Sequence, residues 1–484
     1  MPTSLTYRNV STVEERETFT RARQSLWDTN HAGSPSAMGR YYHRWLARTL
    51  QQVVPKGQRV LEIGCGTGHL LAALEPCEGL GVDYSAAAIG EARLNYPSLR
   101  FVHADAHQLD LAGKTFDYIV VSDLLNDLWD VQRVLETLRR CCSPRTRVVI
   151  NLHSHLWQVP LRVARSLKLA SPQLPQNWLT PHDLVNLLEL TGYIPIRRWS
   201  ELLIPLRFPG ADLLNRTLAR VAPFRWLALT NFTVARIRPA GGPVAGVSVS
   251  IVVPARNESG NIAGLISRIP RMGSRTEVIF VEGNSTDDTA DQIRAHINSR
   301  ADLCAVHLTQ PGRGKGDAVR YAFDRASGDV LIILDADMTV APEDLPRFVE
   351  AMSNGTGEFV NGVRLVYPMQ DRAMRFLNLV ANRLFAASFS WLLGQRVRDT
   401  LCGTKAIWRV DYQLLARQRS YFGDFDPFGD FDLIFGAARL NLHMIEVPVR
   451  YGARTYGETN ISRWRHGLLL LQMLLFAARR LKFA

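Results

Sequence analysis

Short apolar runs alternate with longer amphipathic stretches along most of the chain. "RVLEI", "YIVV", "RVVIN", "SIVV", "VIFV" and "VLIIL" are rich in Val, Ile and Leu, and Gly, Asp, Asn or Glu closes them. Continuous apolar runs of this length suit strands covered on both faces, the habit of a parallel sheet between helices. They fall into two series, the first from "RVLEIGCGTG" to "NFTVARIRP" and the second from "VSVSIVVPARNE" onward. Between them "PAGGPVAG" carries no charge and has the composition of a linker. At 484 residues the chain is also too long for one hydrophobic core. The pattern predicts an α/β protein of two domains, 1–240 and 241–484, divided near residue 242.

Chemistry gathers at the ends of the predicted strands. "VLEIGCGTGHLLAAL" (Val60–Leu74) reads as a strand, a glycine loop and a helix start. Gly64, Gly66 and Gly68 let the backbone turn sharply and approach a ligand. The next strand, "GLGVDYS", ends in Asp83, close to the ~20-residue spacing at which an acid reaches ribose hydroxyls. A third, "RFVHADAHQL", carries Asp105, and "FDYIVVSDLLND" follows. The G-x-G-x-G spacing departs from the G-x-G-x-x-G of a pyrophosphate-binding dehydrogenase.

Glu62-Ile-Gly-Cys-Gly-Thr-Gly, Asp83 and Ala104-Asp105 together resemble the class I S-adenosylmethionine-dependent methyltransferases, over roughly residues 38–238. The resemblance implies a Rossmann-like sheet and S-adenosyl-L-methionine as cofactor. Glu62, Gly64, Gly66, Gly68, Asp83 and Asp105 would hold it, with Asp105 placed for the adenine amine. No Asn/Asp-Pro-Pro-Tyr follows the fourth strand, which argues against methylation of nucleobase amines. Asp123, His153 and His155 sit at or after strand ends and could take a proton from a hydroxyl, or be solvated loop residues. The methyl acceptor stays open.

In the second series, "VSVSIVVPARNESGNI" is a buried strand closed by Pro254-Ala255-Arg256-Asn257-Glu258. "EVIFVEGNSTDDTADQI" is closed by Glu282, Asn284 and Ser285, and "GRGKGDAVRYAF" places Arg313 and Lys315 on a glycine loop suited to phosphate. "DVLIILDADMTV" then ends a strand in Asp335 and Asp337. A lone D-x-D after a strand is as compatible with a polar turn as with a metal site. Its place as fourth in this ordered set is what favours the metal.

That order resembles the family-two glycosyltransferases of the GT-A fold over about residues 247–465, and among them the dolichyl- or polyprenyl-phosphate mannose/glucose synthases. The resemblance implies a nucleotide-sugar donor, with uracil or guanine read by Pro254, Ala255, Glu258 and Glu282, and with Lys315 in the same site. It implies Mg²⁺ or Mn²⁺ on Asp335 and Asp337, the hard carboxylate oxygens such ions prefer. Glu282-Gly-Asn-Ser stands where Asp-Asp-Gly-Ser is usual, which leaves the base open. Thr339 stands where a glutamine is common, which leaves the third metal ligand open. Asp399, Thr400 and Lys405 are of the acceptor-loop type, and Asp430 and Asp432 fall near the family's acceptor-side acid. Arg364, Arg375, Arg450 and Arg454 are candidates to hold an acceptor phosphate. Such an acceptor is already an anion and needs cations to align it, whereas a glycan hydroxyl would need Asp430 or Asp432 as base.

Charge adds where this happens. The net charge is +12, from 57 Lys and Arg against 45 Asp and Glu. From Gly362 to Arg398 there are six arginines and one acid, Asp371, and from Arg450 onward seven Lys or Arg accompany Glu458 alone. These clusters flank "LFAASFSWLLGQ" and "GLLLLQMLLFAA", which are shorter than the ~18 residues of a membrane span. They read as core helices, or as amphipathic C-terminal helices on an anionic membrane surface. Arg375, Asn378 and Asn382 form one polar stripe on "MRFLNLVANRL", which leads into the first. Six cysteines without CxxC spacing, and an N-terminus without an apolar signal core, predict a cytoplasmic protein, peripheral on the inner face of the membrane.

The reading is a bifunctional enzyme. It transfers a sugar with inversion to an acceptor, a polyprenyl phosphate before a glycan hydroxyl, and a methyl group from its N-terminal half. The alternatives are a glycosyltransferase whose first half is a non-catalytic module, and a nucleic-acid methyltransferase; no nucleic-acid motif supports the latter.

Overall fold

The computed structural model describes residues 6–30, 37–111, 113–167, 174–239, 244, 246–367, 376–417, 431–452, 454, 456 and 463–482. Arg375, Asp430, part of the linker stretch, and the side chains of Asn378 and Asn382 lie outside the described residues. The chain forms two compact units, Met1–Arg238 and Pro239–Ala484.

The first unit is a seven-stranded sheet in the order β3-β2-β1-β4-β5-β7-β6. Its strands are β1 (Arg59–Ile63), β2 (Glu78–Asp83), β3 (Arg100–His103), β4 (Phe116–Ser122), β5 (Cys142–His153), β6 (Tyr193–Glu201) and β7 (Thr230–Ile237). All neighbours run parallel except β7, which is antiparallel to both β5 and β6. Val60, Leu61, Ile119, Val120 and Val121 are fully buried, so the apolar runs form the centre of a sheet covered on both sides. Ile63 lies opposite both Val82 and Val121. That register brings the glycine loop, Asp83 and the residues after Ser122 to one edge, where open α/β sheets bind ligands.

The second unit is a sheet in the order β10-β9-β8-β11-β13-β12-β14. Its strands are β8 (Val249–Ala255), β9 (Thr276–Glu282), β10 (Cys304–Thr309), β11 (Val330–Ile333), β12 (Phe359–Val363), β13 (Lys405–Trp408) and β14 (Met444–Pro448). Ala255 is opposite Glu282, and Ile333 is opposite Val252. The chain after β8, β9 and β11 therefore leaves the same edge. Strand β13 runs antiparallel to β11 and starts opposite Ile333, so Gly403 and Lys405 arrive at that edge from the other direction. The two sheets are the methyltransferase-like and GT-A-like architectures expected from the sequence.

Two apolar segments are helices, Phe376–Leu393 and Arg463–Ala477. Among the described residues no helix is long and apolar enough to cross a membrane. Phe389, Leu392, Leu470 and Met473 pack into the second unit's core beside Phe359. Phe359 is completely buried, and truncating such a ring costs about 3–5 kcal/mol. Phe359→Ala is expected to lower one of two urea-unfolding transitions by that amount and leave the other in place. A single transition shifted as a whole would show that the two units unfold together.

Candidate active sites

The second unit's site begins with three turns that share one backbone feature. Asn257 after β8, Asn284 after β9 and Met338 after β11 have φ of 55°, 56° and 52°. Only the asparagines are of a type that tolerates this left-handed region well. Side chains over-determine the turns. The Ser285 hydroxyl accepts from the Asn257 amide at 3.1 Å, and Asn257 Oδ1 accepts from the Thr286 amide at 2.8 Å. Glu282 Oε1 accepts from the Ser285 amide at 2.5 Å.

Asp335 and Asp337 follow β11, and each is paired with a cation. Lys315 Nζ lies 2.5 Å from Asp335 Oδ1, and Arg454 Nη2 lies 2.7 Å from Asp337 Oδ2. Arg454 Nη1 also reaches Glu258 Oε1 at 3.3 Å, so Arg454 bridges the nucleotide-loop acid and the second aspartate. Burial works against the Arg454 charge, but Asp337 and Glu258 outweigh it and raise its pKa. Burial pushes the Glu258 carboxyl up, and the nearby Asp337 and Asp335 add to the rise despite Asn261 and Arg454. Thr339 donates from its amide and hydroxyl to Asp337 Oδ1 at 3.1 and 2.8 Å, so it pins this carboxylate from the far side. Among the described residues no three His, Cys, Asp or Glu side chains form a metal-ligand group. Two aspartate carboxylates do suit Mg²⁺ or Mn²⁺, which complete their shells with water and donor phosphates.

The expected acceptor residues are distributed differently. Arg364 is buried on Asp399, with Nε–Oδ2 at 2.7 Å and Nη2–Oδ1 at 2.8 Å, and its guanidinium lies over the Tyr451 ring. Arg364 is thereby engaged: leaving Asp399 would deprive a fully buried carboxylate of its counter-charge. Thr400 and Lys405 are also buried, with Lys405 Nζ bound to the Cys402 carbonyl. Arg454 is held by acids. Arg450 is exposed, 5.0 Å from the Tyr367 ring centroid. Asp432 starts the helix Phe431–Arg439 and faces Arg320 at 3.5 Å.

In the first unit, Gly64, Gly66 and Gly68 have φ of 75°, 49° and 76°. A Cβ at Gly68 would strike the Phe101 ring at 2.6 Å, whereas one at Gly66 would meet nothing within 4 Å. Gly66 thus borders open space that a ligand can fill. Asp83 accepts from the Gly66 amide and the Ser85 amide, both at 2.8 Å. Glu62 is buried beneath the loop, away from the cleft lining, and burial raises its pKa strongly. Its hydrogen bond is to the Leu71 backbone, in the helix that follows the loop.

The cleft is lined by Ile63, Gly64, Asp83, Tyr84, Asp105 and Leu128, among others. The sequence reading missed its other wall, the helix Thr6–Asn30, which contributes Phe19, Thr20 and Arg23. Phe19 meets Trp129 edge-on at 5.1 Å, and Arg23 lies 3.5 Å over the Phe19 ring. Asp105 accepts from the His107 amide and ring and from Arg16 Nη2 at 2.9 Å. Burial alone would raise the Asp105 pKa, but these hydrogen bonds hold it far below the usual range. Arg16, Phe19 and Arg23 recur at i, i+3 and i+7, a helical spacing that could have flagged this face. The cleft's apolar walls and acid edges fit a nucleoside-bearing methyl donor.

Comparison with known proteins divides the chain in the same way. Residues 250–415 match the family model "Glycosyl transferase family 2", and residues 36–196 match "Methyltransferase domain". Glycosyltransferase AglJ of Haloferax volcanii is 30% identical over 225 residues, 46% of this chain and 68% of that protein. An undecaprenyl-phosphate 4-deoxy-4-formamido-L-arabinose transferase of Edwardsiella ictaluri is 27% identical over 234 residues, 47% of this chain and 66% of that protein. The chain thus spans about two thirds of the length of these curated relatives. Glucosyl-3-phosphoglycerate synthase from Mycobacterium tuberculosis, solved with Mn²⁺ and UDP, aligns with a TM-score of 0.37 at 26% identity, covering 49% of this chain and 80% of that one.

A Cβ at Gly403 would sit 2.0 Å from Asp335 Oδ2 and 2.5 Å from Lys315 Nζ. Gly403→Ala must therefore displace the pair, and a shift of ~1 Å at a reacting centre costs on the order of 100-fold. We expect that loss in sugar transfer with an unchanged circular dichroism spectrum. Full activity would show that the Asp335–Lys315 contact is dispensable.

Proposed function

Since the chain belongs to glycosyl transferase family 2 through its C-terminal half and carries a methyltransferase domain before it, we propose a bifunctional enzyme that transfers a sugar from a nucleotide donor to a polyprenyl phosphate and a methyl group from S-adenosylmethionine. The observation that carries the first activity is the convergence of Asp335, Asp337, Glu258, Lys315 and Arg454 at one sheet edge. The relatives named for undecaprenyl-phosphate transfer support the acceptor class.

In this reading Pro254, Ala255, Glu258 and Glu282 seat the base at the ends of β8 and β9. Asp335 and Asp337 hold a divalent ion, which would offset negative charge building on the departing diphosphate. Lys315 and Arg454 already flank these acids and add fixed positive charge beside the same phosphates. The acceptor phosphate displaces the diphosphate from the opposite side of the sugar carbon, with inversion. Being an anion, it needs no base, in keeping with Asp432 being engaged by Arg320. Arg450 is the acceptor arginine that no carboxylate holds among the described residues. Exposed Leu468, Leu471 and Leu475 on the helix Arg463–Ala477, followed by Arg479 and Arg480, suit a place on an anionic membrane surface at the cytoplasmic face.

In the first unit, Asp83 meets the ribose, the Asp105 side of the cleft meets the adenine, and the Gly64–Gly68 loop cradles the methionine part. The fit rests on the open space at Gly66 and on the acid-edged cleft.

Asp337→Ala is expected to abolish manganese-dependent sugar transfer to undecaprenyl phosphate and to leave S-adenosylmethionine binding intact by calorimetry. Transfer retained by this variant would remove Asp337 from the metal site. Gly66→Arg fills the donor space, and should reverse the pattern: no heat of S-adenosylmethionine binding, with sugar transfer unchanged.

A further inference from the structure

The methyltransferase unit carries a surface that cofactor binding does not use. Strand β5 ends at His153, and two short steps later the chain enters the helix Gln158–Ser166. Leu156, Val159, Val163 and Leu167 lie on this segment at i, i+3, i+7 and i+11, a single helical stripe. Val159, Val163 and Leu167 each expose more than half of their surface. From Ser154 to Leu167 there is no acid, while Arg162 and Arg165 accompany the stripe.

The insert 203–227 between β6 and β7 extends this surface. Trp157 Nε1 donates to the Leu227 carbonyl at 2.8 Å, and the Ser154 amide donates to the Leu229 carbonyl at 2.7 Å, which ties the insert to the helix. Residues 221–227 are all exposed, and Trp226 projects 62% of its surface. The same insert carries Arg207 into a cavity with Arg44 and Arg48, between exposed Leu206 and Phe208. Arg48 pairs with Asp212 at 3.5 Å, the one acid of the insert, and Arg44 and Arg207 have no ion pair among the described residues. Exposed apolar side chains gathered in this way mark an interaction site. Arginines gathered around its cavity favour anionic headgroups over a neutral or basic surface.

The end of β5 that leads into this surface lies beside the end of β4, where Asp123 stands. Asp123 follows β4 at φ 52°, a position no glycine relieves. Tyr42 Oη and Asn151 Nδ2 donate to its Oδ1 at 2.8 and 2.7 Å, and His153 Nδ1 lies 3.6 Å from the same oxygen. Leu124, the next residue, packs against the glycine loop at Gly64.

We propose that the face formed by residues 154–167 and 203–227 seats the methyltransferase unit on an anionic lipid bilayer and delivers a lipid-borne hydroxyl to Asp123. This rests on the reading of that unit as an S-adenosylmethionine enzyme. The hydroxyl oxygen bonds to the donor methyl carbon, its proton passes to the Asp123 carboxylate, and the electrons of the broken S–C bond stay on sulfur.

Hydrogen exchange on the full chain tests the surface without relying on activity. Vesicles of phosphatidylcholine with phosphatidylglycerol should protect 154–167 and 203–227, and phosphatidylcholine alone should not. Arg44→Glu with Arg207→Glu should raise the lipid needed for half-protection of these segments by roughly tenfold or more, and leave protection of 463–477 unchanged. Val159→Asp with Val163→Asp should do the same if the fold survives, and the arginine pair covers the case in which it does not. Absence of lipid-dependent protection overturns the proposal, as does protection that rises with protein concentration instead, the mark of a second copy. With membranes from cells lacking the gene, tritium from labelled S-adenosylmethionine should enter the chloroform–methanol phase. Label confined to the aqueous phase overturns the lipid-borne acceptor, and so does an absence of transfer while the donor binds. Failure of donor binding would instead remove the methyltransferase reading and leave the exchange result standing.

Discussion

A strand buried on both faces can place polar chemistry only where it leaves the sheet, and both units are organised by that restriction. In the first, β1, β2 and β4 deliver the glycine loop, Asp83 and Asp123 to one edge. In the second, β8, β9 and β11 deliver Glu258, Glu282 and the aspartate pair. The turns that make this possible are tight. Four non-glycine residues, Asp123, Asn257, Asn284 and Met338, take φ between 52° and 56° within five residues of a strand end. Each costs of order 1 kcal/mol or more relative to ordinary backbone. Such conformations persist where surrounding bonds fix them, as the Asn257–Ser285–Thr286 and Asp123–Tyr42–Asn151 bonds do.

The acids at these edges are paired, and the pairing does more for placement than for stability. Asp335 and Asp337 keep side-chain exposures of 31% and 14%, and their partners Lys315 and Arg454 keep 26% and 28%. Solvent screening at such exposures leaves a modest net attraction, in the range of ~1 kcal/mol. What the pairs provide is direction. Lys315 and Arg454 hold one oxygen of each carboxylate, and Thr339 holds the other oxygen of Asp337. A divalent ion and a diphosphate would exchange partners within this cluster: the ion takes carboxylate oxygens while the phosphates take the lysine and arginine. No group need be left buried without a counter-charge. Arg364–Asp399 contrasts with this, since there both partners are buried and neither can be released cheaply.

The sequence showed the architecture and the strand-end residues because both arise locally. An apolar run announces a buried strand, and the residue after it is at the edge whatever the rest of the chain does. Asp335, Asp337, Glu258 and Asp83 were legible for that reason. Arg454 was read as an acceptor group, yet it bonds an aspartate 117 residues earlier. Arg364 was read the same way and is consumed by Asp399, 35 residues later. Nothing in the spacing of arginines distinguishes one that waits for a phosphate from one that a distant carboxylate has claimed. The helix Thr6–Asn30 was passed over because its apolar content is low, and its part in the cleft depends on two arginines and a phenylalanine meeting partners in another segment.

The helix Arg463–Ala477 bears on how the proposed transfer to a lipid phosphate would proceed with no spanning helix among the described residues. Leu470, Met473 and Ala477 face the core at i, i+3 and i+7, while Leu468, Leu471 and Leu475 repeat the same spacing toward solvent. A helix apolar on two sides has one side more than folding of its unit requires. Leu468 and Leu475 leave 64% and 54% of their surface uncovered. Covering three such leucines is worth roughly 2.5–5 kcal/mol at about 1.5–3 kcal/mol per fully buried side chain, scaled to the exposed fraction. That supports reversible seating and falls short of irreversible insertion. Because the inner face is committed to the core, the helix can enter a bilayer by little more than one layer of side chains. A shallow seat suits the proposed transfer, in which the donor would come from water and the acceptor phosphate would lie at the headgroup level: the catalytic edge would stay in the aqueous phase, with only the surface that meets the acceptor touching lipid.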